Sequence, residues 1–438
     1  MATSRIPVII DTDPGVDDII AILLALASPE LEVLSIVVSF GNTDIQSSYS
    51  NILKTYQALT RHFDAYPAEK PRFPNYSASP KTSLVLGSDA PLEGDIHSAQ
   101  YFHGRSVSAS ILFGTRFNTK TFARDGLGGI TERHSELDAE FDATADHPQL
   151  LLSKKPAVEN SLELLRCYPE RSITYIALGP LTNLAQLMRC DRDLVRGRIG
   201  RVVCMGGALD VPGNTSPVAE FNFFADPYAV KELLMPSRPE LGLPLDRFFL
   251  LPLDITTPHE LPFPVYQTRV DPSFSNMNTP SVAGEKKPLT HFTSSFLEHT
   301  RTVMLQFGKD AMELHDIVAV WCAIANPPSS TALSPGWSMH KRTFEIERIG
   351  ELTRGMLIID RREDEAAYAP GANRAFVQEE LDKHQLAHGP WESTAVPAAV
   401  EVESLDSSPH DGPRILCITK TPGHDALLQL LLERVWGV

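Results

Sequence analysis

A chain of 438 residues with 42% hydrophobic and 21% charged residues has the composition of a globular protein and is long enough for one large α/β domain. Its net charge of −16 and pI near 5.3 exclude a general polyanion-binding surface, which needs clustered Lys and Arg, so nucleic acid is not an expected partner. No segment reaches the ~18 uninterrupted apolar residues of a membrane span, so no membrane partner is expected either.

The chain opens on "IPVIID", "DDIIAILLALAS", "LEVLSIVVSFGN" and a polar-faced helix expected from about Thr43 to Leu59. Strand, helix, strand, helix is the grammar of a parallel sheet. It returns in "SITYIALGPLTNLAQLM", "GRVVCMGG" and "RFFLLPLDIT", and the end reads as strands "RGMLIID" and "ILCITK" before a closing helix "GHDALLQLLLERVW". The expectation is a single α/β domain over 1–438 with a mainly parallel central sheet flanked by helices around a Rossmann-like core. Two stretches break the rhythm, 105–124 and 363–413, and both read as insertions.

The N-terminal "MATSRIPVII" lacks the basic region and long apolar stretch of a signal peptide, and the five cysteines are scattered without a CxxC pair. Together these predict a cytoplasmic protein with buried free thiols.

The sharpest local feature is "DTDPGVDD", Asp11 to Asp18, four carboxylates around a Pro14-Gly15 turn. One or two aspartates at a helix start are ordinary caps. The helix dipole offsets only about 0.3–1 kcal/mol per charge, too little for four. A bound hard cation compensates better, and all-oxygen ligands favour Ca²⁺ or Mg²⁺ over zinc. A haloacid-dehalogenase-like phosphotransferase also places DxD after a first strand, with the first aspartate as nucleophile, but has no use for Pro14 or for Asp17 and Asp18.

"DTDPGVDD" also resembles the N-terminal fingerprint of the inosine-uridine type nucleoside N-ribohydrolases. Further matches follow in order: "SFGN", "YFHG" with "DGLGG", "ALGPLTN", "VVCMGGA", "GNTSPVAEFNFFADP", "PLDIT" and "LHDIVAV". The resemblance implies hydrolysis of the N-glycosidic bond of a ribonucleoside, uridine or inosine, to free base and ribose, through an oxocarbenium-like transition state.

It further implies that Asp13 ligates Ca²⁺ and acts as general base toward the metal-bound water, with Asp18, Asp316 and the main-chain carbonyl of Leu178 completing the protein ligands; Mg²⁺ is the lesser alternative. Asp11 would support this shell. Asp17, Asn42, Asn214, Glu220 and Asn222 would grip the ribose, His103 would lie near the base, and His315 would protonate the departing base. A homodimer or homotetramer is implied by resemblance as well. The run "SSFLEHTRTVMLQFGKD" departs from the family pattern, carrying Phe296, His299 and Phe307 but no tyrosine, which leaves base preference open. A catalytically silent nucleoside-binding relative is the remaining alternative, against which the retained carboxylates speak.

Overall fold

The computed structural model describes residues 5–97, 125–139, 146–359 and 413–438. Strands β1 (Ile6–Thr12), β2 (Leu31–Val38), β3 (Thr82–Leu86), β4 (Leu150–Leu152), β5 (Ile173–Ala177), β6 (Ile199–Met205) and β7 (Phe248–Leu251) are followed by β8 (Glu260–Pro262) and β9 (Ala311–Glu313), which form a small ribbon. After them come β10 (Ser338–Thr343), the β11–β12 ribbon (Glu345–Ile346 with Leu357–Ile358) and β13 (Arg414–Lys420). One nine-stranded sheet runs in the order β10-β13-β7-β6-β5-β1-β2-β3-β4. Its neighbours are parallel throughout, except at the antiparallel β10/β13 edge.

Parallel strands covered on both faces read as continuous apolar runs, and β1 is buried along its whole length. Successive side chains of a strand point to opposite faces. Val8 and Ile10 accordingly join the core formed with the Val16–Leu26, Pro288–Gln306 and His315–Ala325 helices, while Ile9 faces the core built from Leu162, Leu184 and Leu233.

The Val16–Leu26 helix is buried almost all round and packs against the His315–Ala325 helix. Each begins with a carboxylate in its first turn, Asp17 and Asp18 in one and Asp316 in the other. Both helix starts face the carboxyl end of β1. There the strand order reverses, β2 lying to one side and β5 to the other, and at such a switch point open α/β sheets bind their ligands.

Some expectations shift. The second helix runs from Ile45 to Ala65, capped by Asp44 accepting from Gln46 N at 3.1 Å and Ser47 N at 2.9 Å; its extra turn past Leu59 buries His62 and Phe63. Of the expected strand "RGMLIID" only "LI" pairs; Arg354 and Gly355 belong to the turn before it, closed by Gly355 at φ 78°. A Cβ on Gly355 would sit 2.5 Å from the Phe224 Cα, which is why the chain turns there on glycine. Cys204, Cys322 and Cys417 are buried thiols, but Cys167 and Cys190 are exposed, both lying at helix ends where the apolar stripe runs out. The 105–124 stretch and residues 363–412 fall outside the described residues. Among the described residues, no helix is long and apolar enough to cross a membrane.

Candidate active site

Asp13 leaves the end of β1 and is buried. Its Oδ2 accepts the backbone amide of Asn42 at 2.7 Å, while its Oδ1 is buried with no hydrogen-bond partner. Two glycines make room for this carboxyl. A Cβ on Gly41 would come within 2.0 Å of Asp13 Oδ2, and one on Gly179 within 2.6 Å of Oδ1. Burial, then the charges of Asp18 and Asp17, push the Asp13 carboxyl well above the ordinary carboxylate range, against the Asn42 hydrogen bond.

Asp18 holds the turn itself. It accepts Thr12 Oγ1 at 2.5 Å, the Gly15 amide at 3.0 Å and Asn42 Nδ2 at 2.8 Å. The Gly15 contact is the returning arm of a capping box at the third position of the helix. Asn51 fixes the Pro14 carbonyl at 2.9 Å and the Asp125 carbonyl at 2.6 Å, tying "DPG" to "DGLGG".

Asp17, Asp18 and Asp316 bring carboxylate oxygens within 4.8 Å of one another. Burial and then the charges of Asp17, Asp18 and Asp13 raise Asp316 well above its usual range. Buried carboxylates this close need a counter-charge. With an unpartnered buried oxygen on Asp13, an all-oxygen donor set and two helix starts, the residues fit a hard divalent cation. The geometric group therefore includes Asp17, which the resemblance assigns to ribose, while Asp13 stands beside it.

Asp11 sits behind the site. Tyr175 OH donates to its Oδ2 at 2.7 Å and Asn183 Nδ2 to its Oδ1 at 2.8 Å. Burial raises its pKa to about 7 against those two hydrogen bonds. A nucleophilic first aspartate needs a free, aimed oxygen; both of these are occupied, so the phosphotransferase reading gains no support.

On the β5 and β6 side, Glu220 caps the Phe221–Ala225 helix, accepting the amides of Asn222 at 2.8 Å and Phe223 at 3.1 Å, and it also takes the Gly207 amide at 2.8 Å. Burial nevertheless raises its pKa. Asn222 Nδ2 donates to the Leu178 carbonyl at 2.6 Å. Asn214, exposed, receives the Phe221 amide on its Oδ1 at 2.9 Å, pinning its loop to the same helix.

His315 Nδ1 lies 2.8 Å from Thr256 Oγ1 and its Nε2 3.1 Å from Glu313 Oε2. Burial opposes the imidazolium, but the Glu313 hydrogen bond and the charges of Glu313, Asp17 and Glu220 outweigh it and raise the pKa.

The residues named from sequence thus converge on one end of the sheet, save His103, which lies outside the described residues. Sequence reasoning missed Thr12, Tyr175, Asn183, Thr256 and Glu313. Thr12, Asn183 and Thr256 stand inside motifs that signalled something; Tyr175 and Glu313 carry no local signal, since their partners come from a neighbouring strand and a helix start.

The profile described as inosine-uridine preferring nucleoside hydrolase matches residues 8–388. The chain is 28% identical over 359 residues to the pyrimidine-specific ribonucleoside hydrolase RihA of Klebsiella pneumoniae, covering 81% of this chain and 88% of that protein. It is 32% identical over 222 residues to uridine nucleosidase 1 of Arabidopsis thaliana, covering 50% and 51%. Among solved structures, a plant nucleoside hydrolase, PpNRh1, superposes with a TM-score of 0.61 at 20% identity over 99% of this chain and 100% of that one, which shows the shared fold. With the match spanning most of the chain and the buried carboxylates in place, the protein belongs to the inosine-uridine preferring nucleoside hydrolase family and is an N-ribohydrolase acting on N-glycosyl bonds.

Proposed function

We propose that this enzyme uses Ca²⁺ to hydrolyse uridine, and inosine as a second substrate, to free base and ribose. The observation that carries the reading is the carboxylate group around Asp13, whose buried Oδ1 has no hydrogen-bond partner. Relatives named for pyrimidine nucleosides and uridine support the pyrimidine choice. The cation would be held by Asp13, Asp18, Asp316 and the Leu178 carbonyl, with Asp17 near enough to share it. When bound, it supplies the positive charge that makes a nearby water easier to deprotonate and orients ribose hydroxyls. Ca²⁺ suits a site of many oxygens better than Mg²⁺, which demands tighter octahedral geometry.

Asp13 takes the proton of the attacking water on Oδ1, because Asn42 keeps Oδ2 occupied and the carboxyl cannot turn with Gly41 and Gly179 packed against it. The water oxygen bonds to the anomeric carbon as the bond to the base breaks and its electron pair leaves with the base nitrogen. Asp17, Asn42, Asn214, Glu220 and Asn222 hold the sugar, and the buried negative charge favours the cationic ribose over the ground state. His315 delivers a proton to the base; with both ring nitrogens engaged by Thr256 and Glu313, delivery requires the base to replace one of those partners. By the family resemblance, His103 would lie near the base. The enzyme would work in the cytoplasm as a homodimer or homotetramer, a reading that rests on the family resemblance and the free thiols.

Purified enzyme is incubated with uridine, cytidine, inosine, adenosine and guanosine, with chelator and after restoring Ca²⁺ or Mg²⁺. Uracil release that stops with chelator and returns best with Ca²⁺ is expected. No base from any substrate overturns the activity, and equal recovery with Mg²⁺ overturns the choice of cation.

A further inference from the structure

Away from the carboxylates, His134, Glu136 and His291 bring ligand atoms within 4.8 Å of one another. His291 Nε2 lies 2.9 Å and His134 Nδ1 3.6 Å from the same Glu136 oxygen, and the two imidazoles meet edge to face with centroids 5.4 Å apart. Two nitrogens and one carboxylate oxygen at these separations are the donor set of a borderline divalent metal and unlike the all-oxygen catalytic group.

The surroundings are built for it. Ser281 Oγ sits 2.9 Å from His291 Nδ1, holding the ring so that Nε2 faces Glu136, the outer contact that orients a ligating histidine. Both histidines are buried, whereas the Glu136 side chain is 44% exposed and gives an ion a way in and a water a place to bind. The neighbouring charges are already paired: Arg133 with Glu298 at 3.1 Å and Lys286 with Asp271 at 2.7 Å. Among the described residues, Glu136 is the carboxylate that faces both rings. His134 Nε2 lies instead 3.4 Å from Arg133 Nη1 and 3.5 Å from Glu298, leaving Nδ1 as the donor on the Glu136 side.

The geometry points to a second metal site, of zinc type, in which His134, Glu136 and His291 clip the segment after "DGLGG" to the Pro288–Gln306 helix. The consequence reaches the pocket. Gly128, within "DGLGG", packs on His299 of the same helix, where a Cβ would fall 2.5 Å from the His299 Cβ, and Asp125 holds the turn by accepting the Leu127 and Gly129 amides. An ion at the clip would fix the loop that Asn51 ties to Pro14.

The test uses untagged, chelator-stripped protein kept in excess Ca²⁺ and titrated with CoCl₂ and, separately, with ZnCl₂. Expected are one equivalent of Co²⁺ with a visible d–d absorption, displacement by Zn²⁺, and a Zn²⁺-dependent rise in melting temperature. Glu136→Gln, at an exposed position, and His134→Ala should each weaken binding by at least about 10-fold. Asp316→Asn should leave the absorption in place. Absence of bound Co²⁺, equal affinity in Glu136→Gln and His134→Ala, or loss of the absorption in Asp316→Asn overturns the site; none of these bears on whether nucleosides are hydrolysed.

Discussion

The side chain of Asn42 donates to Asp18 at 2.8 Å while its backbone amide reaches Asp13 at 2.7 Å, so one residue braces two carboxylates by separate groups. Asn42→Leu removes the first contact, together with the side chain's proposed hold on the sugar, and keeps the second. A hydrogen bond to a charged group contributes about 1.5–3 kcal/mol, so kcat/KM should fall by about 10- to 100-fold. The Ca²⁺ concentration for half-maximal activity should rise as Asp18 loses its orientation. A Ca²⁺ titration with an unchanged midpoint would contradict this.

Gly41 and Gly179 test whether the Asp13 carboxyl needs its slot. Gly179→Ala places a methyl 2.6 Å from Oδ1, and Gly41→Ala places one 2.0 Å from Oδ2 at a φ of 153°. Overpacking of this kind costs about 1–3 kcal/mol. Gly179→Ala should lose most turnover with a small drop in melting temperature, and Gly41→Ala should lose both, since its backbone also resists a side chain.

Asp13→Asn separates chemistry from stability. Removing the general base should lower kcat by about 10²- to 10⁴-fold. In chelator the same variant should melt above the wild type, because a neutral amide avoids the cost of burying a carboxyl that ionises freely when unfolded, and of placing it beside Asp18 and Asp17. Ca²⁺ should raise the wild-type melting temperature more than that of the variant, as a ligand of the native state alone does. Thermal melts with and without Ca²⁺ decide it.

These variants also mark what was legible beforehand. The β1–helix–β2 start was readable because both faces of a parallel strand are buried, leaving an unbroken apolar run, and because Pro14-Gly15 punctuates it. Asp13, Asp17 and Asp18 stood out as more charge than one helix start can offset. Tyr175 did not, since its value lies in β5 pairing beside β1, a long-range register with no local trace. Glu313 was equally silent: a glutamate on a short ribbon becomes a partner of His315 only because the chain turns straight into the helix. "RGMLIID" misled because its apolar run reads as a strand from its first residues while Gly355 forces a turn against Phe224.

Glu69 gives the pH prediction. Burial would raise its pKa, but hydrogen bonds from Lys287 and His62 and the charges of Arg72 and His62 bring it down to about 2. A depressed folded pKa means stability fully present above the unfolded carboxylate value near ~4.3 and lost as pH falls from there through about 2. Because the pair is partly solvated, the contribution is below ~1 kcal/mol. Glu69→Gln should flatten melting temperature against pH over that window and leave turnover unchanged.

His315 is tested by the leaving group. A nucleobase departs poorly as an anion, so His315→Ala should slow uridine and inosine hydrolysis by about 10²- to 10⁴-fold. A 4-nitrophenyl riboside departs as a stable phenolate without a proton, and its hydrolysis should change by less than about 10-fold if the histidine serves only as acid. Glu313→Gln takes away the carboxylate 3.1 Å from Nε2 while leaving the Thr256 contact, so the ring stays placed but loses its charge partner. That variant should show the same split between the two substrates at smaller amplitude. An equal loss on both would mean that His315 shapes the site for the sugar and gives nothing to the departing base.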